Sequence, residues 1–336
     1  MKIKNFNINK KVFIIAEVGN NHEGSLKVAK KLVILAAKAG ADAVKFQTFK
    51  TEDFVQKDDI KRFKQLKKFE LSQKKFIVLK DLAHKNKIKF ISTPLDLPSA
   101  NFLIKNSDII KIASGDNNFF PMIEKLLKSK KPLIISTGMM TLTDIKKLSR
   151  FINRFLTKKE AIKRIAFLHC VTSYPVENQY ANLKSIPFLI KNCEFLVGYS
   201  DHTIGKDACL AAVAMGAQII EKHFTLDKSF SNFRDHSLSA DFKELESIVS
   251  SIRNIEQLKG KFEKKLQLPE KKNIKIVRRS AFAKCNIKIN DKIDFSNTIF
   301  VRPAKSKNFS NLINLMGRKA KKKIKKNQKI TNLKLY

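Results

Sequence analysis

Short apolar runs alternate along the chain with stretches in which apolar residues recur at helical spacing. β-branched runs of about four to eight residues are typical of buried strands, and a 3.6-residue period is typical of helices that cover them. The predicted strands are Val12–Val18, Ala43–Phe46, Lys89–Ser92, Ile109–Ile112, Leu133–Ser136, Ile165–Cys170, Phe195–Tyr199 and Gln218–Glu221. The predicted helices begin near Ser25, Ser72, Pro98, Phe120, Leu142, Leu183, Lys206 and Asp241.

Strict alternation of strands and helices predicts an α/β protein with parallel strands. Eight such units can close into a (β/α)8 TIM barrel. A doubly wound open sheet is the alternative, but it normally has fewer strands and a Gly-rich first turn, which is missing here. Ser239 or Asp241 is the expected N-cap of the last helix, Phe242–Leu258.

The alternation of apolar runs with helical stretches stops after Leu258, so the barrel domain is predicted to span residues 1–258. Residues 259–276 are charged and have little period, which predicts a linker. Short strands and turns in residues 277–336 predict a separate domain of about 60 residues, too small for a large core of its own. The basic run Lys319–Lys326 in this domain is interpreted as a solvated face.

Composition narrows the class of protein further. The chain has 336 residues, 43% of them hydrophobic, which is enough for a sizeable core. No apolar run reaches the roughly 18 residues of a membrane span, and four scattered cysteines without a CxxC pair fit a reducing cytoplasm. The net charge of +38 comes from lysines spread over the whole chain, which indicates a general lysine bias and no nucleic-acid surface.

Polar residues follow every predicted strand at its carboxyl end, where barrels place their chemistry. Lys45 and Lys111 end strands two and four, and Thr93, Ser114 and Ser200 add neutral donors. A single lysine there could equally be a solvated strand end. Two of them together predict a site for a small anion.

His202 and His223 end strands seven and eight. Neighbouring strands lie about 4.8 Å apart, so two imidazoles at these ends can share one metal ion. The absence of a third obvious ligand suits an open, catalytic metal site. His169 on strand six has two equal interpretations, a packed hydrogen-bonded residue or a catalytic one.

Glu17 lies inside the first apolar run. A structural carboxylate there would need a cationic partner, for which Lys45 is a candidate. The functional interpretation is a general base or charge stabiliser with a raised pKa. His22 and Glu23 in the following loop could act with it or simply order that loop.

Seven short motifs resemble the sialic acid synthases, in the same order along nearly the whole chain. They are Ala16–Gly24, Val44–Thr48, Ser92–Pro94, Lys111–Gly115, Ser136–Met139, Ser200–Thr203 and Glu221–Thr225. The tail, with Arg302-Pro303, resembles the small antifreeze-like SAF domain of that family. Each motif alone would be a weak signal for the family. Members of the family make nonulosonic acids.

The resemblance implies an enzyme, a transferase that condenses phosphoenolpyruvate with an open-chain N-acyl amino sugar and releases phosphate. C3 of phosphoenolpyruvate attacks the aldehyde, water adds at C2, and phosphate leaves through C–O cleavage. The histidines matching His202 and His223 hold a divalent metal, usually Mn²⁺, with Mg²⁺ or Co²⁺ as alternatives. The resemblance also implies a domain-swapped homodimer.

The resemblance also implies residue roles. Glu17 would handle protons and position the water, and Arg302 would reach the N-acyl group from a partner chain. The residues implied for phosphoenolpyruvate are Lys45, Thr93, Lys111, Ser114, Thr172 and Ser200. The residues implied for the sugar are Gln47, Asp116, Tyr174 and Asp235.

The departures from the family pattern fall mainly around the sugar. Asp116 replaces a common Glu, Thr172 a common Asn, and Ala304 a common Gly, and Ser229–Arg234 looks one residue longer. N-acetylmannosamine, giving N-acetylneuraminate, is the first expectation for the sugar. Diacetamido sugars, giving legionaminate or pseudaminate, are the alternative.

Three rival functions remain. A barrel synthase acting on a phosphorylated pentose, as in the 3-deoxy-octulosonate route, would need an extra cationic cluster and no small domain. A basic protein that binds RNA or a lipopolysaccharide surface would need aromatic residues among its basic ones, and Lys319–Lys326 has none. The C-terminal domain could also be a carbohydrate-binding module by itself.

Overall fold

Eight parallel strands form a closed barrel in the first of two units, Met1–Gly260 and Lys261–Tyr336. The computed structural model describes residues 1, 3, 6–8, 10–302 and 314–336. The strands are β1 (Phe13–Gly19), β2 (Ala43–Thr48), β3 (Lys89–Pro94), β4 (Ile109–Ile112), β5 (Leu133–Ser136), β6 (Ile165–Cys170), β7 (Leu196–Asp201) and β8 (Ile219–His223). Because β1 pairs with both β2 and β8, the ring is complete. The predicted (β/α)8 TIM barrel is therefore confirmed.

Helices cover the barrel between successive strands. They are α1 (Leu26–Lys38), α2 (Thr51–Phe54), α3 (Ile60–Phe69), α4 (Gln73–Lys85), α5 (Leu97–Asn106), α6 (Phe120–Lys128), α7 (Leu142–Ile152), α8 (Lys158–Arg164), α9 (Ser185–Asn192), α10 (Asp207–Ala214), α11 (Asp235–Leu238) and α12 (Phe242–Lys259). The sequence did not predict α2, α3, α8 or α11. α3 buries only Leu66 and Phe69, so its lysine-rich sequence shows little apolar stripe. At α12, Asp241 is the N-cap and forms a capping box with Glu244.

Residues pointing into the barrel change from apolar to polar along each strand. Phe13 and Ile15 of β1 and Ile219 of β8 belong to one buried apolar cluster inside the ring. Side chains two positions apart share a face of a strand, so the next inward residues are Glu17 and Glu221. The apolar cluster fills the amino-terminal half of the barrel, and the polar residues collect at the carboxyl end.

The second unit has a small core of its own. It contains α13 (Leu268–Val277) and the antiparallel pair β9 (Ser280–Ala283) and β10 (Thr298–Val301). Its buried residues include Ile287, Ile293 and Ile324. The segment predicted as a linker, 259–276, therefore includes most of a helix, which begins with a capping box between Gln267 and Glu270. Residues 303–313, which include Ala304, lie outside the described part of the chain.

Two expectations about the chain as a whole can be compared with the structure. No helix in the described ranges is long and apolar enough to cross a membrane. The four cysteines, Cys170, Cys193, Cys209 and Cys285, all carry free thiols, as expected for a chain without a disulfide framework.

Candidate active site

Lys45 lies between two carboxylates at the carboxyl end of the barrel. Its Nζ is 2.8 Å from Glu17 Oε2 and 3.6 Å from Glu221 Oε2. It also donates a hydrogen bond of 3.4 Å to Thr93 Oγ1 on β3. The register explains the contact with Glu17, because β1 and β2 pair Glu17 with Lys45. Lys45 is only 4% exposed, so its charge is stabilised by these neighbours and not by water.

Lys111 reaches the same cluster from β4. Its Nζ is 2.9 Å from Glu221 Oε1, and Ser200 Oγ donates a 2.9 Å hydrogen bond to that same oxygen. Glu221 therefore joins Lys45, Lys111 and Ser200, although the sequence analysis gave it no role. The alternation of inward and outward residues on β8, which places Glu221 on the side of His223, was the signal that could have found it.

The two carboxylates of this cluster differ in their affinity for protons. Burial raises the pKa of Glu17 to about 7, and the attraction of Lys45 only partly offsets it. Burial alone would also raise the pKa of Glu221, but the ammonium groups of Lys111 and Lys45 hold it at about 2. Glu17 can therefore exchange a proton near neutral pH, whereas Glu221 stays ionised.

His202 and His223 lie side by side at the ends of β7 and β8, with ring centroids 5.3 Å apart. Nδ1 of His202 donates a 2.8 Å hydrogen bond to the carbonyl of Val171, which leaves the lone pair on Nε2. Nδ1 of His223 is buried and has no hydrogen-bond partner among the described residues. Burial lowers the pKa of both histidines, so both rings are neutral.

These features fit a divalent metal ion. A neutral imidazole whose other nitrogen is fixed by a backbone carbonyl is the usual form of a metal-ligating histidine. Across the described ranges, no set of three His, Cys, Asp or Glu side chains is arranged to hold a metal ion. Two imidazoles alone would leave coordination positions for water or substrate, as in an open site.

Gly138, just after β5, lets Ser114 and Thr172 approach each other. A Cβ atom at Gly138 would lie 2.3 Å from Thr172 Oγ1 and 2.6 Å from Ser114 Oγ. Ser114 is buried in the 3₁₀ turn after β4, and Thr172 is exposed in the loop after β6. The absence of a side chain at this position therefore brings together two hydroxyl groups that the sequence predicts for phosphoenolpyruvate.

Replacing Gly138 by alanine is expected to lower kcat/KM by about 100-fold, because displacing binding groups by about 1 Å commonly has an effect of that size. Gly115→Ala is the matched control in the same region, since a Cβ atom there would meet nothing within 4 Å. Steady-state kinetics with circular dichroism as a folding check would measure both. Equal kinetics for the two variants would contradict the role given to Gly138.

Tyr174, one of the residues predicted to face the sugar, lies beside both histidines. The ring of Tyr174 lies 4.2 Å from that of His202, and the guanidinium of Arg234 lies 4.8 Å from the Tyr174 ring. Asp235, at the start of α11, is buried, and burial raises its pKa. Arg234, which the sequence analysis did not single out, is 3.3 Å from Asp235 Oδ1.

Gln47 and Asp116 lie farther around the rim of the barrel. Gln47, on β2, accepts a 2.8 Å hydrogen bond from Asn20 Nδ2. Asp116 ends the turn after β4, and burial raises its pKa to about 6. Both side chains are partly exposed, so they can contact a ligand entering from solvent.

Glu23 connects the loop after β1 to the loop after β8. It accepts a short hydrogen bond from Ser231 Oγ and lies 3.3 Å from His236 Nε2. His22 is buried beside it, and its Nδ1 accepts a 3.0 Å hydrogen bond from the amide of Gly24. Both residues therefore order the loop, which was one of the two interpretations left open by the sequence.

The two remaining residues considered from the sequence are His169 and Arg302. His169 donates from Nε2 to the carbonyl of Ala181 at 2.9 Å and stacks on Tyr199. These contacts match the packed interpretation of this histidine. Arg302 is exposed in the second unit, so its role in a partner's site stays a prediction.

Comparison with known proteins places this arrangement in a family. The profile of the NeuB family matches residues 32–264, more than half of the chain. The chain is 38% identical to the N,N'-diacetyllegionaminic acid synthase of Campylobacter jejuni, over 96% of this chain and 99% of that protein. It is 36% identical to the pseudaminic acid synthase of the same organism, over 97% of each chain.

A solved structure is also similar. The N-acetylneuraminic acid synthetase of Leptospira borgpetersenii, crystallised in complex with citrate, superimposes with a TM-score of 0.76 at 35% identity. The match covers 82% of this chain and 94% of that one. A family profile over most of the barrel and relatives that match from end to end lead to the same conclusion. The chain belongs to the NeuB family, whose named members here are nonulosonic acid synthases.

Proposed function

We propose that this protein condenses phosphoenolpyruvate with an open-chain N-acyl amino sugar to form a nonulosonic acid and inorganic phosphate. The observation that carries the proposal is the cluster at the carboxyl end of the barrel. There Lys45 and Lys111 contact Glu221, and Glu221 lies two residues before His223 on the same face of β8. A site for an anion and a site for a metal ion therefore adjoin.

The lysines would hold phosphoenolpyruvate by charge. Lys45 and Lys111 already bind the carboxylate oxygens of Glu221 at 3.6 and 2.9 Å, so they lie where carboxylate or phosphate oxygens can be recognised. Hydroxyl groups of Thr93, Ser114 and Ser200 would complete the oxygen contacts, and Thr172 lies beside Ser114. Protonation of Glu17 would add to the positive charge available to the ligand.

His202 and His223 would hold the divalent ion, for which we propose Mn²⁺, with Mg²⁺ or Co²⁺ as alternatives. When bound, such an ion acts as a Lewis acid toward a carbonyl oxygen, here the aldehyde of the open-chain sugar. The histidines contribute neutral rings in a fixed orientation, and Val171 sets the tautomer of His202. Tyr174 covers His202 on the side of Arg234, where the sugar would enter.

Glu17 would move the protons of the reaction. A new bond joins C3 of phosphoenolpyruvate to the aldehyde carbon, water adds at C2, and the C–O bond to phosphate breaks. The water that adds at C2 gives one proton to the aldehyde oxygen, which becomes a hydroxyl group. The proton of the resulting C2 hydroxyl passes to the departing phosphate as the C2 carbonyl forms. A carboxyl group with a pKa of about 7, next to Lys45, suits a group that accepts and returns a proton.

Gln47, Asp116, Tyr174 and Asp235 would face the sugar. N-acetylmannosamine is one candidate, supported by the similarity to the Leptospira N-acetylneuraminic acid synthetase. A diacetamido sugar is the other, supported by the relatives named for legionaminic and pseudaminic acid, which match nearly the whole chain. We further propose that residues 277–336 form an SAF domain, and that in a domain-swapped dimer Arg302 contacts the N-acyl group.

A phosphate-release assay tests the proposed function. The full chain is incubated with phosphoenolpyruvate and Mn²⁺. N-acetylmannosamine, the diacetamido sugars that lead to legionaminate and pseudaminate, and a phosphorylated pentose are added in separate reactions. The expected result is release of one phosphate per sugar consumed, with none in the absence of sugar. Release only with a phosphorylated pentose would favour the 3-deoxy-octulosonate type of synthase, and no release with any sugar would reject a synthase.

A further inference from the structure

A buried ion pair lies directly behind the two histidines, in the wall between β7 and β8. Lys222 Nζ is 2.7 Å from Asp201 Oδ2, and neither side chain is more than 1% exposed. The register pairs Asp201 with Lys222, one step after Ser200 with Glu221. Because side chains alternate along a strand, Asp201 and Lys222 point away from the barrel interior that Ser200 and Glu221 face.

Asp201 is held by donors on every side. Besides Lys222, it accepts hydrogen bonds from the Tyr199 hydroxyl at 3.0 Å and from Cys209 Sγ, on α10, at 3.2 Å. The amide and the hydroxyl of Thr203 donate to Asp201 Oδ1, which also accepts from Tyr199, at 2.9 and 2.8 Å. The carboxylate therefore fixes the backbone on both sides of His202.

Lys222 makes the matching contacts from β8. Its ammonium group donates to the carbonyl of Thr203 as well as to Asp201, so it contacts the residue before His202 and the residue after it. His223 is the next residue after Lys222 in the chain. One ammonium group thus ties the peptide that carries the first imidazole to the strand that carries the second.

This pair is charged, whereas outward residues of β1 to β6 are apolar or bond to neutral groups. Ile14, Val44 and Ile110 are apolar, and Ser92 and His169 donate to backbone carbonyls. Two charges removed from water contribute little net stability compared with apolar residues of similar size. The clearest consequence of the pair is therefore geometric, because it fixes the separation of His202 and His223.

We propose that Asp201 and Lys222 are positioning residues that set the affinity of the histidine pair for its divalent metal ion. The inference rests on the proposed function, since it assumes that His202 and His223 bind the metal. It goes beyond that function by assigning a role to two residues that do not contribute ligands. Residues that orient metal ligands typically change metal affinity by about 10- to 100-fold when they are replaced.

The test is Mn²⁺ binding to the full chain, measured by isothermal titration calorimetry. Lys222→Met is expected to weaken Mn²⁺ binding by about 10- to 100-fold. Raising the Mn²⁺ concentration should restore phosphate release in this variant, because the ligands themselves remain. A double variant, Asp201→Asn with Lys222→Met, leaves no unpaired buried charge and gives the answer if the single variant does not fold.

Asp42→Asn is the matched control. Asp42 is also an acid in an ion pair, 2.6 Å from Arg253 and only partly exposed, but it precedes β2 at the other end of the barrel. Its replacement should leave Mn²⁺ affinity unchanged. Wild-type affinity in folded Lys222→Met or in the double variant would overturn the positioning role. Absence of Mn²⁺ binding by the wild-type chain would instead overturn the metal site, and this inference with it.

Discussion

Replacing either His202 or His223 by alanine is expected to abolish sugar-dependent phosphate release while leaving the barrel folded. The two rings are neutral and lie 5.3 Å apart, and each provides half of the protein's proposed contribution to the metal site. A Lewis acid contributes several kcal/mol to stabilising charge in a transition state, which corresponds to a loss of about a thousandfold or more in kcat. Stopped-time phosphate assays and Mn²⁺ titrations would measure the two effects separately.

His84→Ala provides the control for these variants. His84 is an exposed histidine on α4 that pairs with Asp108 at 2.8 Å, far along the chain from both predicted ligands. The His84→Ala variant should retain wild-type activity and Mn²⁺ affinity. Full activity of the wild-type enzyme after treatment with a chelator would contradict the role of the metal.

Replacing Lys111 by methionine is expected to raise the KM for phosphoenolpyruvate by roughly 10- to 100-fold. Lys111 is 2% exposed, and its ammonium group would form a buried charge-assisted contact with phosphoenolpyruvate worth about 1.5–3 kcal/mol. The pKa of Glu221 should also rise, because Lys111 helps to keep that carboxylate ionised. Initial rates over a range of phosphoenolpyruvate concentrations at saturating sugar would give the value.

Lys131→Met is the matched lysine variant. Lys131 is partly buried and donates to the carbonyl of Ser107 at 2.8 Å, but it precedes β5 at the amino-terminal end of the barrel. Its KM for phosphoenolpyruvate should match that of the wild type. An unchanged KM in Lys111→Met would remove Lys111 from the anion site.

The barrel could be predicted from sequence because its strands are buried on both sides. Runs such as Ile109–Ile112 and Leu133–Ser136 have no polar residue on their outer face, and both were placed at the observed bounds. α3 and α8 were not predicted, because a helix that buries few residues shows little period. α8 buries only Ala161 and depends on the capping box of Thr157 and Glu160 at its start.

The candidate site could be predicted in part, because its residues follow strands whose ends meet at one end of a barrel. The contact of Glu17 with Lys45 follows from two neighbouring strands and was anticipated as one interpretation. Glu221 was not assigned, since a sequence does not show that one carboxylate lies between two lysines from β2 and β4. Partners such as Asp201 and Lys222 depend on strand register, which alternation alone does not fix.

A crystal structure with Mn²⁺ and phosphoenolpyruvate tests the central claim most directly. The account predicts one anomalous Mn²⁺ peak contacted by His202 and His223, and phosphoenolpyruvate in contact with Lys45 and Lys111 in the same pocket. A metal peak away from both histidines, or phosphoenolpyruvate bound elsewhere on the chain, would contradict it.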